Sequence, residues 1–473
     1  MCPFFPFHYI ILYVCLLGPL WLLSSHVSAK GPVGVSSRSK NLHQQWNITF
    51  FPSEVERLEE DQERNVSMYT LDLDWWDKNK PLSVMVETDD FSIAEVSGKT
   101  EFPLNTTQEF NFTFSLKGKF LGFTFVRVKA QQGGKTVQEN KELRVEVIRR
   151  ASVLDTIFTY SIIIIVSIAY INMGSTLDLK IIWNTIRRPW GPVVGICSQY
   201  LFMPLVAFGL SQGLLSEPSL QLSLFVTGCS PGGGASNIWT VLLNGNMNLS
   251  ITMTFISTVV AFLAMPAWLF SLGRVIFEEG QLVIPYRNIG TLAIGLVIPV
   301  AIGIMIRRFW PRAAEWLLKI LRPFSILIII YILTFGIYAN YYVFLLLSWR
   351  IVVSCIVLIW SGFAFGALVS YLCKFPVGDI IAIAVETGIQ NTGVAIVLLR
   401  FSLPQPEADL TLVIPAMAAM MMPIPLTGVY VVQKIMRRKE GSMIVSRCES
   451  PSGKELVQHA ANGEFKSPDQ VHV

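Results

Sequence analysis

From residue 151 onward the chain is a succession of apolar runs, each long enough to cross a bilayer core of about 30 Å, and nothing else in the sequence constrains the fold as strongly. Nine runs can be marked, at residues 152–173, 190–211, 219–243, 248–273, 286–306, 321–341, 351–373, 377–400 and 409–433. Lipid offers no partner to a backbone N–H or C=O, so runs of this length are helices. The composition agrees, with 52% of the 473 residues hydrophobic and 15% charged, whereas soluble domains carry about 25% charged residues. The net charge of +4 is modest, and the basic residues gather in short loops, which excludes a nucleic-acid partner.

The 150 residues before the first run have a different character. Residues 1–29 carry the apolar stretch "YIILYVCLLGPLWLLSS", and small Val27 and Ala29 stand before Lys30, as a secretory signal peptide requires. Residues 30–150 contain no cysteine but four N-x-S/T sequons, at Asn47, Asn65, Asn105 and Asn111, which marks a lumenal, N-glycosylated domain that folds without disulfides. Alternating stretches such as "EFNFTFSLKG", "GFTFVRVKA" and "ELRVEVIR" read as strands, with "GGK" a turn between the last two. "SMYTLDLDWW" and "LSVMVET" lie upstream of them, and together they predict a small β-sandwich.

Nine crossings from a lumenal start put the C-terminus in the cytoplasm, and the loop charges test this. Loops predicted inside carry Lys180, Arg187, Arg188, Arg307, Arg308, Arg312, Lys319, Arg322, Lys374, Lys434, Arg437, Arg438 and Lys439. Loops predicted outside carry mainly Arg274, Arg287 and Arg400 beside several carboxylates, while Arg149, Arg150 and Arg350 run against the trend. The expected organisation is therefore signal 1–29, ectodomain 30–150, membrane domain 151–435 and a disordered cytoplasmic tail 436–473, in the plasma membrane by default.

Two of the runs cannot be continuous helices. In "FVTGCSPGGGASNIW", Pro231 lacks an N–H, and Gly232, Gly233 and Gly234 each cost a helix about 1 kcal/mol relative to alanine. In "IAVETGIQNTGVA", Gly388 and Gly393 bracket Gln390 and Asn391, just after Glu386. The two runs cross in opposite directions, as an inverted repeat requires, and crossed broken helices hold ions and substrate near the midplane of secondary transporters. A hard cation such as sodium takes about five or six oxygen ligands. Glu386 supplies a carboxylate, Ser236 and Asn237 follow the other break, and Ser250 and Thr254 share a helix face. A charge at the bilayer centre costs at least about 2.5 kcal/mol, and bound cations offset it.

The segments "NMGSTLDLKIIWNTIRRPWGPVVGICSQYLFMPLVAFGLS", "GCSPGGGASNIWTVLLNGNMNLSITMTFIST" and "ETGIQNTG" resemble the sodium/bile acid cotransporter family over roughly residues 150–435. The resemblance implies a panel body and a core body that alternate access to the two sides, with sodium as the coupling ion and no cofactor. It assigns one sodium site to Ser236, Asn237, Ser250, Thr254 and Glu386, and a second to Gln199, Glu386, Gln390 and the carbonyls of Thr387 and Ile389. Asn391, next to Gln390, is a substrate-side candidate. The chain departs from the family at Gly234, where Thr is common, and in its glycosylated N-terminal domain, which is similar to the orphan members.

The function expected is symport of sodium with an amphipathic organic anion, a bile acid or steroid sulfate. The alternative is a non-transporting receptor or adhesion-like protein that acts through its ectodomain, whose partner the sequence does not name. A proton-carrying exchanger needs only the carboxylate and a second titratable partner, not a ring of oxygens. No phosphate loop or catalytic constellation supports an enzyme, because "PGGGASN" lacks the lysine and the strand context.

Overall fold

Apolar residues at every second position become two sheets. The computed structural model describes residues 45–46, 48–70, 82–104, 110–132, 135–139, 141–150, 152–176, 179–187, 189–279 and 286–449, so the signal segment and residues 450–473 lie outside the described residues. Between Gln45 and Ile148 one sheet has seven strands and the other four. In the smaller sheet, the whole of Glu63–Thr70 pairs antiparallel with the strand Phe110–Gly118. In the larger, Gly122–Gln132 is the spine, paired with Leu82–Thr88, Lys135–Glu139 and Leu143–Ile148. Val66, Met68, Phe114 and Leu116 of one sheet and Val84, Val86, Val126, Val128 and Val145 of the other form one buried cluster. Burial at about 1.5–3 kcal/mol per such side chain holds the two layers together without a disulfide.

Gly133 and Gly134 of the expected turn lie outside the described residues, and the strand after them is an extra one, Lys135–Glu139, which comes before Leu143–Ile148. That strand, KTVQE, has a single apolar residue and shows no alternation to read. Asn65 and Asn111 are exposed on neighbouring strands of the smaller sheet, and the hydroxyls of their sequons, Ser67 and Thr113, lie 3.0 Å apart. Asn47 and Asn105 lie outside the described residues.

The helices, in chain order, are α1 (Val153–Thr176), α2 (Leu179–Ile186), α3 (Trp190–Cys197), α4 (Met203–Leu214), α5 (Pro218–Cys229), α6 (Ala235–Leu242), α7 (Met247–Phe270), α8 (Leu272–Glu279), α9 (Tyr286–Phe309), α10 (Pro311–Tyr331), α11 (Ile337–Ala339), α12 (Tyr342–Leu345), α13 (Trp349–Leu372), α14 (Val377–Gly388), α15 (Thr392–Ser402), α16 (Glu407–Leu410), α17 (Val413–Met421) and α18 (Pro423–Glu449). Among the described residues, five helical stretches are long and apolar enough to cross a membrane: Val153–Ser175, Trp190–Leu214, Met247–Phe270, Trp349–Leu372 and Glu407–Arg437. The last helix continues to Glu449, past the boundary set at 435, because "MRRKEGSMIVSRCE" is rich in good helix formers.

The helices sort into two bodies. In one, α1 packs along α9 and α10; in the other, α13 is central and contacts α14, α17 and α4. They meet where α7 and α15 touch α9, and where α15 touches α1. The α1–α9 contact is a backbone approach through small residues, as lipid-embedded helices favour. A Cβ on Gly174 would stand 2.3 Å from the Val300 carbonyl oxygen, and one on Gly303 would stand 2.2 Å from that of Ile171. Gly303→Val should therefore destabilise the protein by about 1–3 kcal/mol or more, read as a lowered melting temperature in detergent. Gly295→Ala, where a Cβ meets nothing within 4 Å, should leave it unchanged.

Candidate ion site at the crossing of two interrupted helices

The chain unwinds at two places, between α5 and α6 and between α14 and α15. Each unwound stretch satisfies the other. The Gly233 N–H donates to the Ile389 carbonyl at 2.8 Å and the Asn391 N–H to that of Pro231 at 2.9 Å, so Gly232 and Gln390 form an antiparallel bridge. Glycine is needed for this approach: a Cβ on Gly232 would lie 2.2 Å from Glu386 Oε1, and one on Gly233 would lie 3.0 Å from the Gln390 carbonyl oxygen.

Glu386 occupies the last turn of α14 and is 1% exposed. Its Oε2 accepts from Ser236 Oγ at 2.6 Å and from Thr254 Oγ1 at 2.9 Å. Thr254 Oγ1 is also 3.0 Å from the Ser250 carbonyl of its own helix, so its one proton serves two acceptors. Ser250 Oγ donates to Asn237 Oδ1 at 2.9 Å and accepts from Thr240 Oγ1 at 3.2 Å. Ser236, Asn237, Ser250, Thr254 and Glu386 thus form one chain of contacts across α6, α7 and α14, although 150 residues separate Ser236 from Glu386.

Gln199 approaches from another direction, on a π turn at Ser198–Phe202 between α3 and α4. The sequence signal for that turn is Pro204, which has no N–H to offer the Tyr200 carbonyl four residues back. Trp268 Nε1 donates to that carbonyl instead, at 2.8 Å. Gln199 Nε2 donates to the Ser230 carbonyl at 2.7 Å and to Gln390 Oε1 at 2.8 Å, and Gln390 Nε2 donates to the Thr387 carbonyl at 2.8 Å. The carbonyls of Thr387 and Ile389 each accept one of these bonds and keep a second lone pair. Gln199 Oε1 and Glu386 Oε1 are both buried and accept no hydrogen bond from a described residue. Buried acceptors without donors are rare because each carries a desolvation penalty of about 1–3 kcal/mol, and an all-oxygen set of this kind fits a hard cation.

Asn391 has a position the sequence does not reveal. Its Oδ1 caps α15 through the Val394 N–H at 3.3 Å, and its Nδ2 donates to Tyr170 OH at 2.7 Å. Tyr170 belongs to α1 and is buried, so this bond joins the two bodies. A single tyrosine within "SIIIIVSIAYINMG" gives no periodic signal by which to find it.

The model of the Sodium Bile acid symporter family matches residues 162–346. The ileal sodium/bile acid cotransporter of Homo sapiens is 30% identical over 329 residues, which cover 67% of this chain and 92% of that protein. This chain belongs to the sodium bile acid symporter family. The sodium-dependent organic anion transporter of Rattus norvegicus is also similar, 32% identical over 254 residues, or 53% of this chain and 67% of that protein. Its Bos taurus counterpart is 38% identical over 167 residues, which cover 35% of this chain and 44% of that protein. As a member of the family the chain is a multi-pass membrane protein of a transporter class. Gly232→Ala should lower its melting temperature, since overpacking costs about 1–3 kcal/mol and the added methyl meets the buried Glu386. Gly234→Ala, which faces open space, should not.

Proposed function

We propose that the chain is a sodium-coupled symporter of an amphipathic organic anion, a bile acid or a steroid sulfate, and that it works by alternating access in the plasma membrane. About nine helical spans would cross the bilayer, with the glycosylated β domain outside and the C-terminus inside. The observation that carries this is the pair of unpartnered buried oxygens, Gln199 Oε1 and Glu386 Oε1, at a crossing whose other groups are hydroxyls, amides and carbonyls.

One sodium would lie among Ser236, Asn237, Ser250, Thr254 and the Oε2 side of Glu386. A second would lie among Gln199, Gln390, the carbonyls of Thr387 and Ile389 and the Oε1 side. The carboxylate would then face one cation with each oxygen, and the cations would offset the cost of an ionised group at that depth. Two sodium ions per monoanion make uptake electrogenic. Their binding also acts on the fold, because Gln199, Ser236, Thr254 and Gln390 stand on separate elements that the ions would draw together. The substrate would enter between the bodies, where Asn391 meets Tyr170. The names of the relatives, sodium/bile acid cotransporter and sodium-dependent organic anion transporter, support the substrate class.

Uptake of radiolabelled steroid sulfate and bile acid into expressing cells tests this, with choline replacing sodium. Uptake should vanish without sodium and in Glu386→Ala at equal surface expression. Gln199→Ala should raise the half-saturating sodium concentration about tenfold, equivalent to about 1.4 kcal/mol of lost coordination. Sodium-independent uptake, or a normal Glu386→Ala, would sink the proposal.

A further inference from the structure

Arg149 stands between the last strand of the β domain, Leu143–Ile148, and α1. A charged residue at the end of a domain linker is usually solvated, yet this side chain is only 16% exposed. Both its Nη1 and its Nη2 reach Asp155 Oδ1 at 3.2 Å. Its Nη1 also lies 4.0 Å from Asp409 Oδ2, and its guanidinium carbon sits 3.9 Å from the centroid of the Tyr342 ring. Asp409, 4% exposed at its side chain, pairs in turn with Arg400, and Tyr342 OH lies 3.4 Å from Asp409 Oδ1. The residue before the hub is fixed to the β domain, since the Glu60 N–H donates to the Ile148 carbonyl at 3.0 Å. Nearby, at the turn before Gly122–Gln132, Leu121 is 1% exposed inside the apolar cluster of the helices, with Phe120 and Phe123 packed against that cluster.

The four charges come from the segment before α1 and from both helical bodies. Asp155 is on α1, which packs with α9 and α10; Arg400 and Asp409 are on α15 and α16 of the other body. They divide into two neutral pairs, Arg149–Asp155 on one body and Arg400–Asp409 on the other. The pairs are joined by the 4.0 Å contact and by Tyr342, whose ring faces Arg149 and whose hydroxyl reaches Asp409. Separation along that line strands no charge, because each body leaves with its own pair. It breaks one long ion contact and the contacts of Arg149 with Tyr342. Stranding a buried charge would be far more unfavourable. An arrangement that opens cheaply along one line has the character of a catch, not of a permanent weld.

We propose that Arg149 is a latch by which the β domain holds the two helical bodies together at their outer ends, and that it must release Asp409 and Tyr342 before the bodies part. This rests on the alternating-access reading above, and it assigns the ectodomain a role in setting how readily the transporter leaves the latched state. The same residue explains a charge that runs against the loop asymmetry: Arg149 lies outside because it pairs with carboxylates there, not because it reports topology.

The test reads body separation directly, without substrate or sodium. Tyr170→Cys, in full-length protein with Cys197, Cys373 and Cys448 replaced by serine, places a thiol where α1 meets Asn391, and its reaction with N-ethylmaleimide is followed in sodium-free membranes. Arg149→Gln and Tyr342→Leu should each speed labelling about tenfold, and Arg150→Gln, next to the hub but exposed, should not. Unchanged labelling in Arg149→Gln and Tyr342→Leu overturns the latch, and where Arg149→Gln fails to reach the surface Tyr342→Leu alone decides. Absence of sodium-driven uptake in the protein that keeps Tyr170, beside faster labelling of the Tyr170→Cys protein by Arg149→Gln and Tyr342→Leu, would sink the symporter reading and leave the latch standing.

Discussion

A membrane interior gives an unwound peptide group no water to bond, so the stretch around Pro231–Gly233 and the stretch around Ile389–Asn391 exist only because each completes the other. Their two reciprocal backbone bonds, Gly233 to Ile389 and Asn391 to Pro231, are the constraint on which the rest of the helical structure depends. Once the breaks are tied together, α6 and α14 present Ser236 and Glu386 to each other, and α7 can close the group with Ser250 and Thr254. The glycines at 232 and 233 follow from the same demand, for no side chain fits between backbones this close.

The polar residues at the crossing are under-satisfied in a directed way. The donors find acceptors: Gln199 Nε2 makes two contacts, Gln390 Nε2 one, and the serine and threonine hydroxyls are bonded. What is left over is oxygen, on Gln199 and Glu386. A network that merely specified packing would pair such groups, because each orphan is costly in a low-dielectric interior. Excess acceptor capacity at a buried carboxylate is the preparation expected for cations that arrive and leave.

Around this centre the two bodies touch through contacts that differ in kind. Near the crossing of the two breaks a tyrosine and an asparagine meet, Tyr170 and Asn391, while at the end next to the β domain charges meet in the cluster of Arg149 and Asp409. Within the first body the packing is of another order, with Gly174 and Gly303 letting the α1 and α9 backbones touch. The stiff contacts thus lie inside the body and the separable ones between the bodies, a distribution suited to rigid-body movement.

Much was legible in the sequence because lipid makes composition informative. The apolar runs, the switch near residue 151, the break at "SPGGG" and the exceptional carboxylate follow from what a bilayer forbids, and the alternating strands follow from a two-sided sheet. The strand KTVQE and the partnership of Tyr170 with Asn391 left no such trace, because hydrogen bonding to distant neighbours decides them, not local pattern. The sequence by itself determined that this protein spans a membrane with two interrupted helices and one buried carboxylate among hydroxyls and amides. Only the tertiary structure decided which oxygens remain unpaired and which charges join the bodies, for those depend on where the folded helices bring residues 199, 254, 386 and 390, or 149 and 409, together.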